Sequence, residues 1–415
     1  MGSDLLAFQP LLGHRVNLFM VPSDSQVEEP KNLTAMRIFA PFLRLGITAF
    51  GGPAMVAYIR VLAVERKRWL TEESFRDGVA LCQSLPGATA MQAAAYVGLR
   101  ARGVRGAVAA YLGFGLPAFV LMLGFSVLYR LGHDFPAVTS AFRGLQVIVV
   151  ALVANATLKF GRASLKGWQD VLLALAAAVY LGTGGSPIVA VGGAAAIGML
   201  LNRDEEGARP EHDLHLKAKP FSGLKMAGLL VFLALVALAV LYFLERRLFE
   251  LASVMMKVDL FAFGGGFASV PLLLHETVEV RHWLDARTFL DGIALGQVTP
   301  GPIVITATFV GYQFAGLFGA LVATVAIFTP SLVVLIAAVP YADRLRHSPS
   351  FKRALRGVLA SFVGLLLAVT LRFGASASWN IVTAAIGVVA FLSLLLGVDV
   401  LWVVLGGTLV SAVLQ

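Results

Sequence analysis

Stretches of roughly twenty apolar residues recur along almost the whole chain, each long enough to cross the ~30 Å hydrocarbon core of a bilayer as a helix. Composition agrees: of 415 residues 58% are hydrophobic and 14% charged, against roughly 25% charged in an ordinary soluble domain. In water such a chain would expose large apolar patches. A soluble enzyme and a disordered chain are therefore excluded. A transmembrane barrel would show short alternating strands, and the sequence lacks that pattern. The expected class is an all-α, multi-pass membrane protein.

Apolar segments run at about 36–62, 77–98, 106–129, 142–160, 168–182, 187–202, 224–244, 250–275, 289–311, 317–340, 354–373, 379–396 and 398–414, which predicts about 13 spans. Residues 1–35 read as a soluble leader, without the charged start, apolar run and cleavage site of a signal peptide. The net charge of +9 is read as cytoplasmic loops obeying the positive-inside rule, not as a nucleic-acid surface. The single cysteine, Cys82, lies in an apolar stretch and reads as a small core residue.

The chain also repeats itself. AFGGP at 49–53 returns as AFGGG at 262–266, 213 positions on. Trp69, Phe75, Asp77, Gly78, Leu81, Gln83, Pro86 and Gly87 return 214 positions on as Trp283, Phe289, Asp291, Gly292, Leu295, Gln297, Pro300 and Gly301. Gly98, Gly103, Gly106 and Pro117 match Gly311, Gly316, Gly319 and Pro330, and Arg143-Gly144 matches Arg356-Gly357. Chance similarity between apolar runs would not align such residues in one order. The predicted organisation is a first repeat at 36–202, a cytoplasmic polar linker at 203–223, an unpaired helix at 224–248 and a second repeat at 249–415. Six segments plus one is odd, so the second repeat is expected to enter the membrane from the opposite side. Basic residues agree, with the N-terminus cytoplasmic, except at Arg66, Lys67 and Arg68, which this count places outside. A re-entrant first segment would remove that exception.

Inverted repeats are a common transporter plan, with substrate bound near the midplane where helices are interrupted. Gly51, Gly52 and Pro53, then Pro86 and Gly87, then Gly264, Gly265 and Gly266, then Pro300, Gly301 and Pro302 put helix-breaking residues inside apolar runs. Such backbone is tolerated in a membrane only when buried in protein or lining a wet cavity. These breaks are the predicted substrate site, against packing kinks as the plain alternative. A helix start beside a break suits an anion. Arg44 and Lys257 each stand seven residues before an equivalent glycine, Gly51 or Gly264. A cation in lipid is expensive, so Lys257 is expected to face protein or water; snorkelling of Arg44 and a Lys257–Asp259 ion pair are the competing readings.

Gln83 and Gln297 stand about one turn before the proline-glycine breaks, where an amide can donate to an oxyanion or bond to another helix. Asp77 and Asp291 are expected to open and cap their helices, with a coupling or salt-bridge role, open to Asp259 as well, as the alternative. Glu65, Glu276 and Glu279 precede the paired tryptophans as candidate proton or salt-bridge partners, with a solvated loop face as the alternative. Glu211, His212, Asp213 and His215 read as a solvated loop without a closed ligand set, and no metal or cofactor is expected. No nucleotide-binding, metalloprotease or serine-hydrolase motif occurs. Energy should therefore come from an ion gradient or the membrane potential.

FLRLGITAFGGP, FRDGVALCQSLPG and their copies FAFGGGFASVP and FLDGIALGQVTPGP resemble the chromate ion transporter family over about residues 36–414, in its long, two-domain form. The resemblance implies a protein of the inner or plasma membrane that exports chromate, driven by the proton-motive force, and confers chromate resistance. Sulfate is a related oxyanion, and a homodimer stays open. FGGP against FGGG and LPGAT against TPGPI mark the two halves as unequal. A sulfate carrier of the same fold and an anion channel are the rival functions; a membrane enzyme fits least.

Overall fold

The computed structural model describes residues 33–49, 54–132, 136–201 and 220–414. Among them the regular elements are helical, apart from one isolated strand-like bridge between Pro86 and Phe263. The first half comprises α1 (Ala35–Thr48), α2 (Ala54–Arg60) running into a π-helical turn at Val61–Arg66, α3 (Glu72–Ser84), α4 (Thr89–Gly132), α5 (Pro136–Ser164), α6 (Trp168–Gly182) and α7 (Pro187–Leu201). Helix α8 (Pro220–Leu244) follows. The second half comprises α9 (Arg246–Phe261), α10 (Ser269–Leu274) running into a π-helical turn at His275–Val280, α11 (Ala286–Val298), α12 (Thr306–Ala338), the short α13 (Ala342–His347), α14 (Pro349–Ser376), α15 (Ile381–Leu395) and α16 (Val400–Leu414). The two π-helical turns fall at equivalent positions, so even this rare element is duplicated.

The duplication extends to single dihedral angles. Helix α4 turns sharply at Arg102 and Gly103 (φ 65°, ψ −158°), and α12 does so at Ala315 and Gly316 (φ 62°, ψ −148°). Both glycines occupy the left-handed side of the map that a side chain resists. On either side of each turn the backbones press together. A Cβ on Gly98 would fall 2.1 Å from the Gly106 carbonyl oxygen, and one on Gly311 would fall 2.2 Å from that of Gly319. Each long helix is thus a tight helical hairpin.

Contacts show that the segments before these turns fold back on themselves. The Tyr96 hydroxyl donates to the Ser74 carbonyl at 3.2 Å, and its ring lies where a Cβ on Gly78 would sit. In the second half Phe309 covers Gly292 in the same way. Phe42 of α1 stacks on Trp69 beyond the π-helical turn, with centroids 6.3 Å apart. Lys257 and Glu250 of α9 reach forward to Glu276 and Arg281. The apolar runs at 77–98, 250–275 and 289–311 are therefore pairs of half-helices with a break at each tip, and the run at 36–62 likewise holds the two helices α1 and α2.

The expected count of thirteen spans does not carry over to the helices as built. Among the described residues five are long and apolar enough to cross a bilayer: Thr89–Gly132, Phe142–Ser164, Leu224–Leu244, Ile303–Tyr341 and Pro349–Ser376. The four helices α6, α7, α15 and α16 are apolar but shorter, at 15 residues each, or ~22 Å. Small residues let α14 approach α6 and α7, where Gly357 meets Gly198 and Gly364 meets the Ala174 carbonyl. Helix α8 is the outlier: only 6% of its apolar window is buried, against 61% in Phe142–Ser164.

Candidate functional site

The four tips meet in pairs, and each pair joins the two halves. The Gly87 amide donates to the Ala262 carbonyl at 2.8 Å, and Pro86 bridges to Phe263. The Gly301 amide donates to the Ala49 carbonyl at 3.2 Å. Tip two therefore holds tip three, and tip four holds tip one. Gly87 and Gly301 have φ of 111° and 118°, which lets the backbone turn within one residue. The helices leaving these tips, among them α4 and α12, start there and aim their positive ends at the junction. Of the predicted breaks, Pro86, Gly87, Gly264, Gly265, Gly266, Pro300, Gly301 and Pro302 belong to this junction. Gly51, Gly52 and Pro53, like the Glu211–His215 cluster, lie outside the described residues.

A polar knot lies against the junction of tips two and three. Asp259 is buried, and its Oδ2 accepts from the Ser331 amide at 2.7 Å and from the Ser331 hydroxyl. Gln92, fully buried, donates from Nε2 to the Pro86 carbonyl at 2.7 Å and to the Ser331 carbonyl at 3.4 Å. The Tyr111 hydroxyl donates to the Phe328 carbonyl at 2.8 Å, beside the proline that frees backbone groups in α12. Gln92 and Ser331 were not singled out in the sequence, because one polar residue in an apolar helix reads as helix-to-helix bonding. Asp259 takes no part in the ion pair anticipated with Lys257.

Lys257 turns the other way. Its ammonium, with the side chain 44% exposed, binds Glu276, which is 4% exposed, at 2.7 Å. Arg281 binds the other oxygen of Glu276 and also reaches Glu250 at 3.2 Å. Glu279 accepts from Arg372 and lies 2.9 Å from His275. So Glu276 is no solvated loop residue; it is the buried centre of a charge network. Its first-half relatives are plainer. Arg44 and Gln83 are exposed, and Glu65 pairs at the surface with Arg60, at 2.8 Å, which also holds Glu72. Gln297 is half-buried, with its Nε2 unpartnered.

The reading of Asp77 and Asp291 as helix caps is corrected by the helix boundaries. Thr71 caps α3 and Asp285 caps α11, several residues earlier. Asp291 instead accepts from Tyr129 at 2.9 Å and from Gln146 at 2.8 Å, both from the other half. It borders a cavity of ≈ 870 Å³ open at one end of the molecule, with Arg143, Arg287, Gln146, Trp379 and Asn380 in its wall. Among the described residues Arg143 makes no ion pair there, whereas its repeat partner Arg356 is held by Asp170 at 3.0 Å. The residue matching Asp170 in the second half is Thr383, which caps α15 with Asn380.

Duplicated half-helix pairs, tips that meet inside an apolar helical body and a cavity lined by charged as well as apolar side chains define a membrane transport protein. The sequence model of the family described as "Chromate transporter" matches twice, at residues 36–199 and 249–412, and the chain belongs to that family. An uncharacterised transporter of Methanocaldococcus jannaschii is 43% identical over 92% of this chain and 94% of its own length. A chromate transport protein of Pseudomonas aeruginosa is 32% identical, covering 87% of this chain and 86% of that protein. One from Cupriavidus metallidurans is 29% identical, over 87% and 88%. No solved structure matches.

Proposed function

We propose that this chain carries chromate out of the cytoplasm across the inner membrane by alternating access, using the proton-motive force, and so confers chromate resistance. The observation that carries the reading is the junction of broken helices, where tips from both halves hold each other by two single backbone hydrogen bonds. Helix starts converging there suit an oxyanion, and contacts this few can be exchanged between two arrangements. Direction follows from charge: a potential negative inside favours expelling a dianion by about 4.6 kcal/mol per 100 mV. The family, and the names of the relatives, supply the substrate.

The second half is inverted relative to the first, with the N-terminus cytoplasmic. Support comes from the folded-back segments, which leave Arg66, Lys67 and Arg68 at the same end as Arg100, Arg102 and Arg105. By the same folding back, the loop 281–287 belongs at the opposite end, with Glu250. The residues proposed to hold the anion are the tip glycines and prolines with Gln83 and Gln297, drawn in by the more distant charges of Arg44 and Lys257.

Everted vesicles should accumulate labelled chromate when a gradient is imposed, and a sulfate excess measures selectivity. Uptake equal to that of vesicles without the protein overturns the reading. In a Cys82→Ala background, cysteines in 66–68 and 99–105 should label from one face and those in 312–316 from the other. Labelling of all three from one face overturns the inverted arrangement.

A further inference from the structure

The knot around Asp259 has two atoms that nothing in the protein satisfies. Asp259 Oδ1 is buried without a hydrogen-bond partner, and so is Gln92 Oε1. The orientation of the Gln92 amide is fixed, because its nitrogen faces two carbonyls and only a donor can do so. The Gly87 backbone closes over the carboxylate, so that a Cβ there would fall 3.1 Å from Asp259 Oδ1 and 2.1 Å from Ser331 Oγ. Tip two, tip three, α9 and α12 thus enclose one carboxylate.

The groups facing Asp259 do not neutralise it. From α12 come the Ser331 amide and hydroxyl. From α4, Gln92 reaches the Ser331 and Pro86 carbonyls and Tyr111 donates to the Phe328 carbonyl, and neither carries a positive charge. On α9, Lys257 is engaged with Glu276. Among the described residues no Lys, Arg or His forms an ion pair with Asp259. An ionised oxygen left bare in a low-dielectric interior is strongly disfavoured. A proton or a dehydrated alkali cation removes that cost. The other half has nothing comparable: the positions matching Asp259 and Ser331 are Gly46 and Ala118. A duplicated fold that keeps a carboxylate in one copy only is built to carry one charge there.

We propose that Asp259, Gln92 and Ser331 form the binding site of a single monovalent coupling cation, a proton or a sodium ion, enclosed by the paired second and third tips. The cation neutralises Asp259 and completes the oxygen set, so its arrival and departure bias whether those tips stay together. Gradient energy reaches the oxyanion through that contact. The proposal rests on the reading of the chain as a gradient-driven oxyanion carrier and names its coupling site.

The test uses the full chain in proteoliposomes, with the parent and Asp259→Asn, which keeps the shape and removes the charge. An imposed pH or sodium gradient should make the parent accumulate labelled chromate at least tenfold, and the gradient that works identifies the cation. Asp259→Asn should lose that accumulation while chromate-for-chromate exchange stays within threefold of the parent. Separately, the melting temperature of the parent in detergent should respond to pH or to added sodium, and that response should vanish in Asp259→Asn. Ser331→Ala, which keeps the carboxylate, should move the midpoint of the response without abolishing it. Accumulation by Asp259→Asn equal to the parent, or an unchanged melting response, overturns the cation site. A parent that moves no chromate under any gradient overturns the functional reading instead, and the melting comparison still judges the site.

Discussion

The two halves of this protein share a backbone and divide the chemistry. Turn angles at Gly103 and Gly316 agree within a few degrees in φ, both π-helical turns recur, and both helical hairpins close on paired glycines. Side chains diverge where charge matters. The second half has the buried Asp259, Glu276 and Asp291, where the first has Gly46, an apolar stretch at Leu62–Ala63 and the half-buried Asp77. Geometry is what both halves must supply to build matching hairpins. Only one of the two tip junctions carries the carboxylate of Asp259, and a second one at the position of Gly46 would add its own desolvation cost.

The comparison can be broken most severely at the shared geometry. Gly98→Ala and Gly311→Ala each force a Cβ against a backbone carbonyl and should each cost about 3 kcal/mol or more. Thermal melting in detergent checks this, and tolerance in one half alone would mean the hairpins are not equivalent. Next comes a pair of helix starts that differ in charge. Asp170 accepts from the amides of Lys166 and Gly167 and binds Arg356, whereas Thr383 serves only as a cap. Asp170→Ala should destabilise by about 3 kcal/mol and Thr383→Ala by about 1 kcal/mol. Equal losses would show that the ion pair adds nothing to the cap.

Smaller effects sharpen the functional side. Lys257→Gln should lower chromate flux at equal protein content by about tenfold, near 1.4 kcal/mol. Arg44→Gln, at the exposed equivalent position, should lower it less, by about threefold, near 0.7 kcal/mol. A larger loss at Arg44 would reverse the division of labour drawn here. Smallest is Arg143→Gln in the cavity wall, which should weaken apparent chromate affinity by about threefold through lost attraction. That effect should shrink at high salt, because exposed charges are screened. An unchanged salt dependence would remove Arg143 from the path.

The membrane class, the duplication and the break positions were legible because hydropathy, glycine and proline act locally. The folding back of 36–62 was hinted at by Arg66, Lys67 and Arg68, whereas that of 250–275 left no signal, because two half-helices in series have the same apolar length as one span. Tip pairing was hidden for another reason: Gly87 to Ala262 is a backbone bond between distant residues and leaves no side-chain trace. Asp77 and Asp291 looked like caps because each precedes a glycine, yet Thr71 and Asp285 supply the nearer oxygen. Asp170 carries a usable signal: it is an acid at the start of an apolar helix, in a repeat where Arg143 matches Arg356.

Helix α8 is hardly enclosed by the rest of the protein, and in the proposed inverted arrangement its main service is to parity. Its composition can drift freely within the apolar residues, since lipid accepts any of them. What selection must protect is its presence: deleting it would leave an even number of crossings before the second half. That half would then insert upside down, every residue intact and every tip facing the wrong way.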